Sequence, residues 1–375
     1  MGKSNPDAKR VLLVEPDYYS CYPPLGLLKI SSYYRTIDAT IRYVRGIDQL
    51  GDFYPDTIEI TSLFTYSRKQ VHNAIEYYHK KYPRAEVFVG GIYASLLPSE
   101  LEDLFPYAHV QRGLNENADH LTPDYSILNQ VDKWMDWDGS IIFTSRGCVN
   151  KCGFCMVPKL EGTLHNITDT PSELINPEHS KIIIWDNNFL AQPNWYEKAM
   201  DLKKTNKWLD FNQGLDARLL DEEKAEVLSK LKIKDYRFAY DGDYQKKAAK
   251  NAVELLSSKG INRRQISFYT LYNFYAGPNT RSDTPDNFYH RVMDILEWGA
   301  VSYPMRYVPL DAENKNTYVS PNWTADQLEK VARARRVIGY GGAFPPYTAL
   351  VNKLRKAGEF EEAFRLEPPK PKMTS

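Results

Sequence analysis

The 375-residue chain carries 48 Lys plus Arg against 48 Asp plus Glu, a formal net charge of zero. Without excess positive charge it lacks the source of broad nucleic-acid affinity, so nucleic acid is not a favoured partner, and the Arg333, Arg335 and Arg336 cluster reads as a solvated helix face. Four cysteines build no disulfide framework in a chain this long, apolar runs such as KIIIW (181–185) are too short to span a membrane, and the polar start MGKSNPDAKR has neither an apolar signal region nor a myristoylation motif, so a reducing cytoplasm is expected.

In chain order, RVLLVEP from Arg10 reads as a buried strand and LGLLKISSYYR from Leu25 as a helix. IRYVRG and DTIEITS are strand-like, RKQVHNAIEYYHKKY from Arg68 is an amphipathic helix, and AEVFVGG from Ala85 is another buried strand. Strands alternating with helices predict a Rossmann-like parallel-sheet domain over 8–115. It contains neither G-x-G-x-x-G nor G-x4-G-K-[ST], so no nucleotide-phosphate loop is expected. Gly90 and Gly91 suit either close approach of a ligand or a tight strand-to-helix turn.

A polar linker, 116–138, precedes a second alternating series. SIIFTS, KIIIWD, LDFNQG, YRFAYDG, QISFYTLY and VSYPMRYV are its strands, with helices such as DEEKAEVLSKL and DNFYHRVMDILEW between them. Six strands so arranged predict an α/β fold of the partial (β/α)6 TIM type over 139–311, with chemistry on loops at the strand C-terminal ends. A short helical C-terminal extension is expected over 312–365 and a disordered tail over 366–375.

The loop after the first of these strands, SRGCVNKCGFCMVPKLEG, holds Cys148, Cys152 and Cys155 at C-x3-C-x2-C spacing. Three thiolates so close can hold three corners of a 4Fe-4S cluster and leave one iron open to a small molecule. A Cys3His zinc site completed by His165 is the competing reading, with three inert cysteines behind it.

The spacing, Phe154 before the last cysteine, and IIFTSRGC ahead of the first resemble the signature of radical S-adenosylmethionine (SAM) enzymes. YPPLGLLKISSYYR (from Tyr22), ITSLFTY (from Ile60), VGGIYASLLPSE (from Val89) and PDYSIL (from Pro123) resemble the branch with an N-terminal cobalamin-binding-type (B12-binding-like) domain. The resemblance implies a cluster that binds SAM and releases a 5′-deoxyadenosyl radical, hydrogen abstraction from an organic substrate, and an external flavodoxin- or ferredoxin-like one-electron reductant. It also implies SAM contacts. Phe154 would pack near the adenine, while Asp186, Asn187 and Asn188 end the second strand, where the family binds the SAM amino group; an Asx turn is the alternative there.

After the third strand come Gln213, Asp216 and Arg218, with the last two open also to a structural ion pair. Asp241 ends the fourth strand, shorter than the Glu of the related G-x-E-S stretch. Cys21 (a possible hydrogen donor), Tyr272 and Arg306 are the catalytic or substrate candidates. No D-x-H-x-x-G cobalt-ligand motif occurs, so cobalamin is possible but lacks that support, and Cys21 alone cannot build the extra cluster of a methylthiotransferase. The alternatives carried are a cobalamin-dependent radical SAM methyltransferase, a nucleic-acid base-modifying radical SAM enzyme, and, as non-enzymes, an iron–sulfur electron carrier or a zinc-stabilised binding module.

Overall fold

A computed structural model describes residues 8–277, 283–339 and 347–365. The expected tail, 366–375, lies outside the described residues. The chain divides into two compact units, one of Met1–Asn187, Met200–Lys207 and Pro309–Lys315, the other of Asn188–Ala199, Trp208–Val308 and Asn316–Ser375.

The first unit opens with β1 (Arg10–Glu15), α1 (Leu25–Arg35), β2 (Thr40–Arg45), β3 (Thr57–Ser62), α2 (Arg68–Lys81), β4 (Glu86–Gly91), the short α3 (Ile92–Leu96) and α4 (Pro98–Leu104), and β5 (Ala108–Val110). The five strands form a parallel sheet in the order β2-β1-β3-β4-β5, with Val11 opposite Ile41 on one side and Thr57 on the other. A parallel sheet needs cover on both faces, which is why β1 is buried from Val11 to Glu15. Leu12 and Val14 point into a cluster with Ile60, Val89 and the Val71, Ile75 and Tyr78 stripe of α2. Val11 and Leu13 point the other way, onto Leu27 and Leu28 of α1.

That second face is completed by the segment expected to be a polar linker. Two 3-10 turns, Tyr125–Gln130 and Asp132–Trp134, bury Tyr125, Ile127, Leu128 and Trp134 against it. Asp124 fastens the segment to the sheet domain by accepting from Ser31 Oγ (2.7 Å), Arg35 Nε (3.1 Å) and the Ser126 N–H (3.0 Å). Gly91 has φ +102°, and a Cβ there would collide with the Ser62 carbonyl oxygen. The Gly90–Gly91 pair is therefore a tight strand-to-helix turn filled by the protein's own backbone.

The same unit continues with β6 (Ser140–Ile142), β7 (Ser145–Arg146), the single-turn α5 (Val157–Leu160), β8 (His165–Asn166) and β9 (Lys181–Ile184). β6 and β9 are parallel, with Ile141 opposite Ile183, and β7 pairs antiparallel with β8. The cysteine loop lies between β7 and β8.

The helix α6 (Trp195–Lys204) is divided between the units. The second unit then contains β10 (Trp208–Phe211), α7 (Glu222–Ser229), β11 (Tyr236–Ala239), α8 (Lys246–Ser258), β12 (Ile266–Tyr272), α9 (Pro285–Glu297) and β13 (Val301–Arg306). β11, β12 and β13 are parallel, as the alternation of strand and helix predicts. Asp221 caps α7 through the Lys224 N–H, and Thr284 caps α9 through Asn287 with Pro285 in the first turn. The helices α10 (Ala325–Gly339), α11 (Tyr347–Ala357) and α12 (Phe360–Ala363) form the C-terminal extension. Leu328, Val331, Leu350 and Phe360 bury onto Phe288 and Val292 of α9 and onto Tyr272.

Candidate functional site

Cys148, Cys152 and Cys155 are all half-buried thiols, and none is in a disulfide. Their loop is built by local chemistry. Gly147 sits at φ +70°, where a Cβ would strike the Thr163 carbonyl oxygen, so only glycine lets the chain turn out of β7 at this point. The Cys148 N–H donates to the Gly162 carbonyl (3.3 Å), and the Cys155 N–H to that of Cys152 (3.0 Å). Backbone N–H groups point at sulfur, that of Asn150 at Cys148 Sγ (3.4 Å) and that of Val157 at Cys155 Sγ (3.5 Å). Burial pushes the Cys155 thiol up, opposed by the Val157 N–H and reinforced by the charges of Cys148 and Glu161. Such a thiol is inert until a cation stabilises its thiolate, as iron would.

Among the described residues, no three His, Cys, Asp or Glu side chains are grouped around the position of a single metal ion. A four-iron cluster asks for something different, one thiolate per iron at separate corners. The zinc ligand considered above, His165, is exposed and has Nδ1 3.0 Å from its own Thr163 carbonyl.

A chain of alternating charges runs behind the loop. Arg146, just before Gly147, meets Asp119 through Nη2 (2.5 Å) and Nε (3.3 Å), and Glu161 through Nη1 (3.2 Å). Its guanidinium lies 3.4 Å from the centre of the Phe143 ring. Glu161 accepts the Gly147 N–H (2.9 Å) and the Asn187 side-chain amide (2.8 Å). At the far end, Lys29 of α1 donates to the Asp119 carbonyl and stands 3.6 Å from its carboxylate. Burial pulls Lys29 down to about 8, partly offset by Asp119. Burial acts to raise Asp119, but the bonds from Arg146 and the charge of Lys29 outweigh it and hold the carboxyl below its ordinary value.

Of the SAM-contact candidates in this unit, Phe154 is half-buried on the loop itself. Asn187 touches the loop, donating to Glu161 and, at 3.4 Å, to the Gly147 carbonyl. Asp186 is buried and turned to its own chain. It accepts from the Thr144 N–H (2.6 Å), from the Thr144 hydroxyl and from the Ser145 hydroxyl (3.1 Å), stapling the end of β9 to the segment after β6. Burial raises its carboxyl against those bonds. Cys21 is exposed in the loop after β1, 3.2 Å from the Tyr19 hydroxyl.

In the second unit, Asn188 is buried. Its amide nitrogen donates to Asp216 (3.2 Å), and its carbonyl oxygen has no hydrogen-bond partner. Asp216 caps a 3-10 turn and accepts both Nε (2.8 Å) and Nη2 (2.6 Å) of Arg218, so the alternative of an ion pair is present in this fold. Gln213 is exposed. Asp241 follows β11 and accepts one backbone N–H, from Leu271 at 2.9 Å. The residue keeps some exposed surface, yet its carboxyl is enclosed by protein, which pushes it up to about 6 against the Leu271 N–H and Arg291.

Tyr272 is core, its ring packed at a tilt against Phe288 and Trp323. Arg306 gives Nη2 to the Tyr318 carbonyl (3.1 Å), while its Nε is buried without an acceptor. Sequence reasoning missed Lys29, Asp119, Arg146 and Glu161. Each alone reads as an ordinary surface charge, and the only available signal was the position of Arg146 inside the SRGC turn.

No family model matches the chain, and no curated protein matches it. Among solved structures it is similar to TsrM from Kitasatospora setae, a radical S-adenosylmethionine methyltransferase solved with cobalamin and a 4Fe-4S cluster bound. The TM-score is 0.60 at 13% identity over 82% of this chain and 77% of that one. A second structure of TsrM, with tryptophan substrate and the SAM analog aza-SAM bound, matches at TM-score 0.60 and 13% identity over 82% and 76% of the two chains. At this identity the likeness shows the fold: α/β, a Rossmann-like parallel-sheet domain with a partial barrel. No described helix is long and apolar enough to cross a membrane.

Proposed function

We propose that the chain is a radical SAM enzyme of the cytoplasm, with Cys148, Cys152 and Cys155 as the ligands of a 4Fe-4S cluster. One observation carries the reading: three half-buried thiols share a single loop between β7 and β8, just beyond the parallel strand β6, in a fold like that of a radical SAM methyltransferase. The donor set fits, since all three ligands are soft, half-buried thiols and those of Cys148 and Cys155 receive backbone N–H groups that favour thiolate. When bound, the group would supply the electron that cleaves SAM and would hold the SAM amino and carboxylate groups at its open iron.

The protein's own residues do the rest. Gly147 and Glu161 shape the loop. Asn187 fixes the end of β9 beside it and Phe154 offers an apolar surface for an adenine. Taken by itself, the second unit offers acceptors of the kind that ammonium and hydroxyl groups pair with, the unpartnered carbonyl oxygen of Asn188 and the carboxyl of Asp241. Arg306 is suited to a carboxylate. An external flavodoxin- or ferredoxin-like carrier would bring the electron. The residues' part is orientation and exclusion of water.

Within this class, cobalamin-dependent methyl transfer is favoured over simple hydrogen abstraction, because both similar structures are of a methyltransferase and one is described with cobalamin bound. Such a ligand would suit the ends of β1 and β3, where the strand order reverses. Its three histidines do not lie at those ends. His72 pairs with the Tyr93 hydroxyl (2.8 Å), His79 stacks on Tyr107 and His109 on Phe88. Cobalt would therefore be held without a histidine of this domain.

The test uses anaerobically reconstituted full-length protein, assayed for iron, sulfide and cobalt and then given dithionite and SAM. About four irons per chain, with 5′-deoxyadenosine formed, supports the class. Cobalt uptake with S-adenosylhomocysteine as a further product supports methyl transfer. Zinc in place of iron, or a cluster that never cleaves SAM, defeats the proposal.

A further inference from the structure

The charge chain behind the cysteine loop begins in the first domain, and that gives the domain a task independent of any ligand it holds. Lys29 lies on α1 with its side chain 4% exposed, Asp119 follows the sheet with 14%, and Arg146 and Glu161 flank the loop with 10% and 13%. All four are desolvated, their signs alternate, and the sum is zero. Ions this far from water are screened little by salt, and removing one leaves its neighbour uncompensated. Arg146 immediately precedes Gly147, and Glu161 holds the Gly147 N–H, so the chain ends on the backbone that carries Cys148.

We infer that Lys29 and Asp119 are positioning residues of the cluster site, fixing Arg146 and setting the charge beside the cysteine loop. The inference rests on the reading that the three cysteines hold an iron–sulfur cluster. The reduction potential of such a cluster depends on nearby charge and hydrogen bonding. Lys29→Gln leaves the chain one negative charge in excess, which stabilises the oxidised cluster and lowers the potential. Asp119→Asn leaves one positive charge in excess, which raises it. A merely structural tie would loosen the loop in both variants and shift the potential in no opposed sense.

The experiment is an EPR-monitored redox titration of the reconstituted holoprotein, with iron counted per chain. The expected result is a lower midpoint for Lys29→Gln, a higher one for Asp119→Asn, and a return to the wild-type value for Lys29→Arg, which keeps the charge. Asp124→Asn, which loosens the linker from α1 without touching the charge chain, leaves the potential unchanged. Equal midpoints in the wild type and both charge variants, or shifts of the same sign, overturn the inference while leaving the proposed function standing. A wild type that takes up no iron defeats both. If Asp119→Asn does not fold, the Lys29→Gln and Lys29→Arg pair decides alone, since a lowered midpoint in the first and not the second is what the charge argument requires.

Discussion

The strand ends around β6 and β9 and those around β11 to β13 are built from the same residue types and finished in opposite ways. Asp186 after β9 and Asp241 after β11 occupy corresponding places, each an aspartate two residues beyond a parallel strand. Asp186 receives two hydroxyls and a backbone N–H from Thr144 and Ser145, whereas Asp241 receives one backbone N–H. Arg146 is held by two carboxylates, whereas Arg306 meets one carbonyl oxygen and no carboxylate among the described residues. Apart from the buried Trp185 indole N–H, which has no acceptor, the first region ties the polar groups named here to one another and so fixes a loop before any cofactor arrives. The other leaves acceptors and a guanidinium for a ligand to complete. Preorganisation in the first and unmet valence in the second suit a cluster site and a small-molecule site respectively.

The contrast breaks most severely if the loop is altered. Cys152→Ala should abolish iron retention and SAM cleavage while far-ultraviolet circular dichroism stays unchanged, because Cys152 is a half-buried loop residue outside the hydrophobic core. A variant that keeps a full complement of iron would remove Cys152 from the ligand set.

Next in size is Gly147→Ala, which sets a Cβ against the Thr163 carbonyl at a positive φ. It should cost about 3 kcal/mol of local or global stability, read by urea denaturation of the apoprotein, and lower iron uptake as well. An unchanged midpoint would mean that the loop is not fixed before the cluster binds.

Asp186→Asn tests the self-satisfied region again. It removes an acceptor from a buried staple and should destabilise by about 2 kcal/mol, with SAM affinity of the surviving fold little changed. Asp241→Asn tests the other region and should do the reverse. With its folded pKa raised to about 6, Asp241 favours the folded state below the ordinary carboxylate pKa, and this contribution is lost as pH rises through about 6. At pH 7.5 the variant should therefore be slightly more stable than the wild type, yet bind SAM roughly tenfold more weakly. Wild-type SAM affinity should fall as pH drops through about 6, and the variant should lack that step. Isothermal titration across pH 5 to 8 would separate the two behaviours, and a pH step retained in the variant would assign it to another group.

Much of this was legible in the sequence because it is local. The cysteine loop is a contiguous run, and β1 and β9 are apolar runs whose burial follows from cover on both faces, whereas β4, expected as another buried strand, buries only Val87 and Val89. The alternating strand and helix signals gave the parallel topology for the same reason. What escaped were features assembled from distant segments. Lys29, Asp119, Arg146 and Glu161 come from four places in the chain, and nothing in their neighbours marks them as partners. The linker read as polar because Asp124, Ser126 and Asp132 dominate its composition, while Tyr125, Ile127, Leu128 and Trp134 cover a sheet face through 3-10 turns too short to leave a periodic pattern. The strand-end aspartates were visible as residue types, but which of them is spent on its own chain depends on hydroxyls some forty residues away.

The most direct test of the central claim is the EPR spectrum of the dithionite-reduced, reconstituted protein recorded before and after addition of SAM. An open iron at a three-cysteine cluster predicts a reduced 4Fe-4S signal whose g values change when SAM binds, and no such signal in Cys152→Ala. A signal indifferent to SAM, or protein that binds zinc and stays silent, would contradict the account.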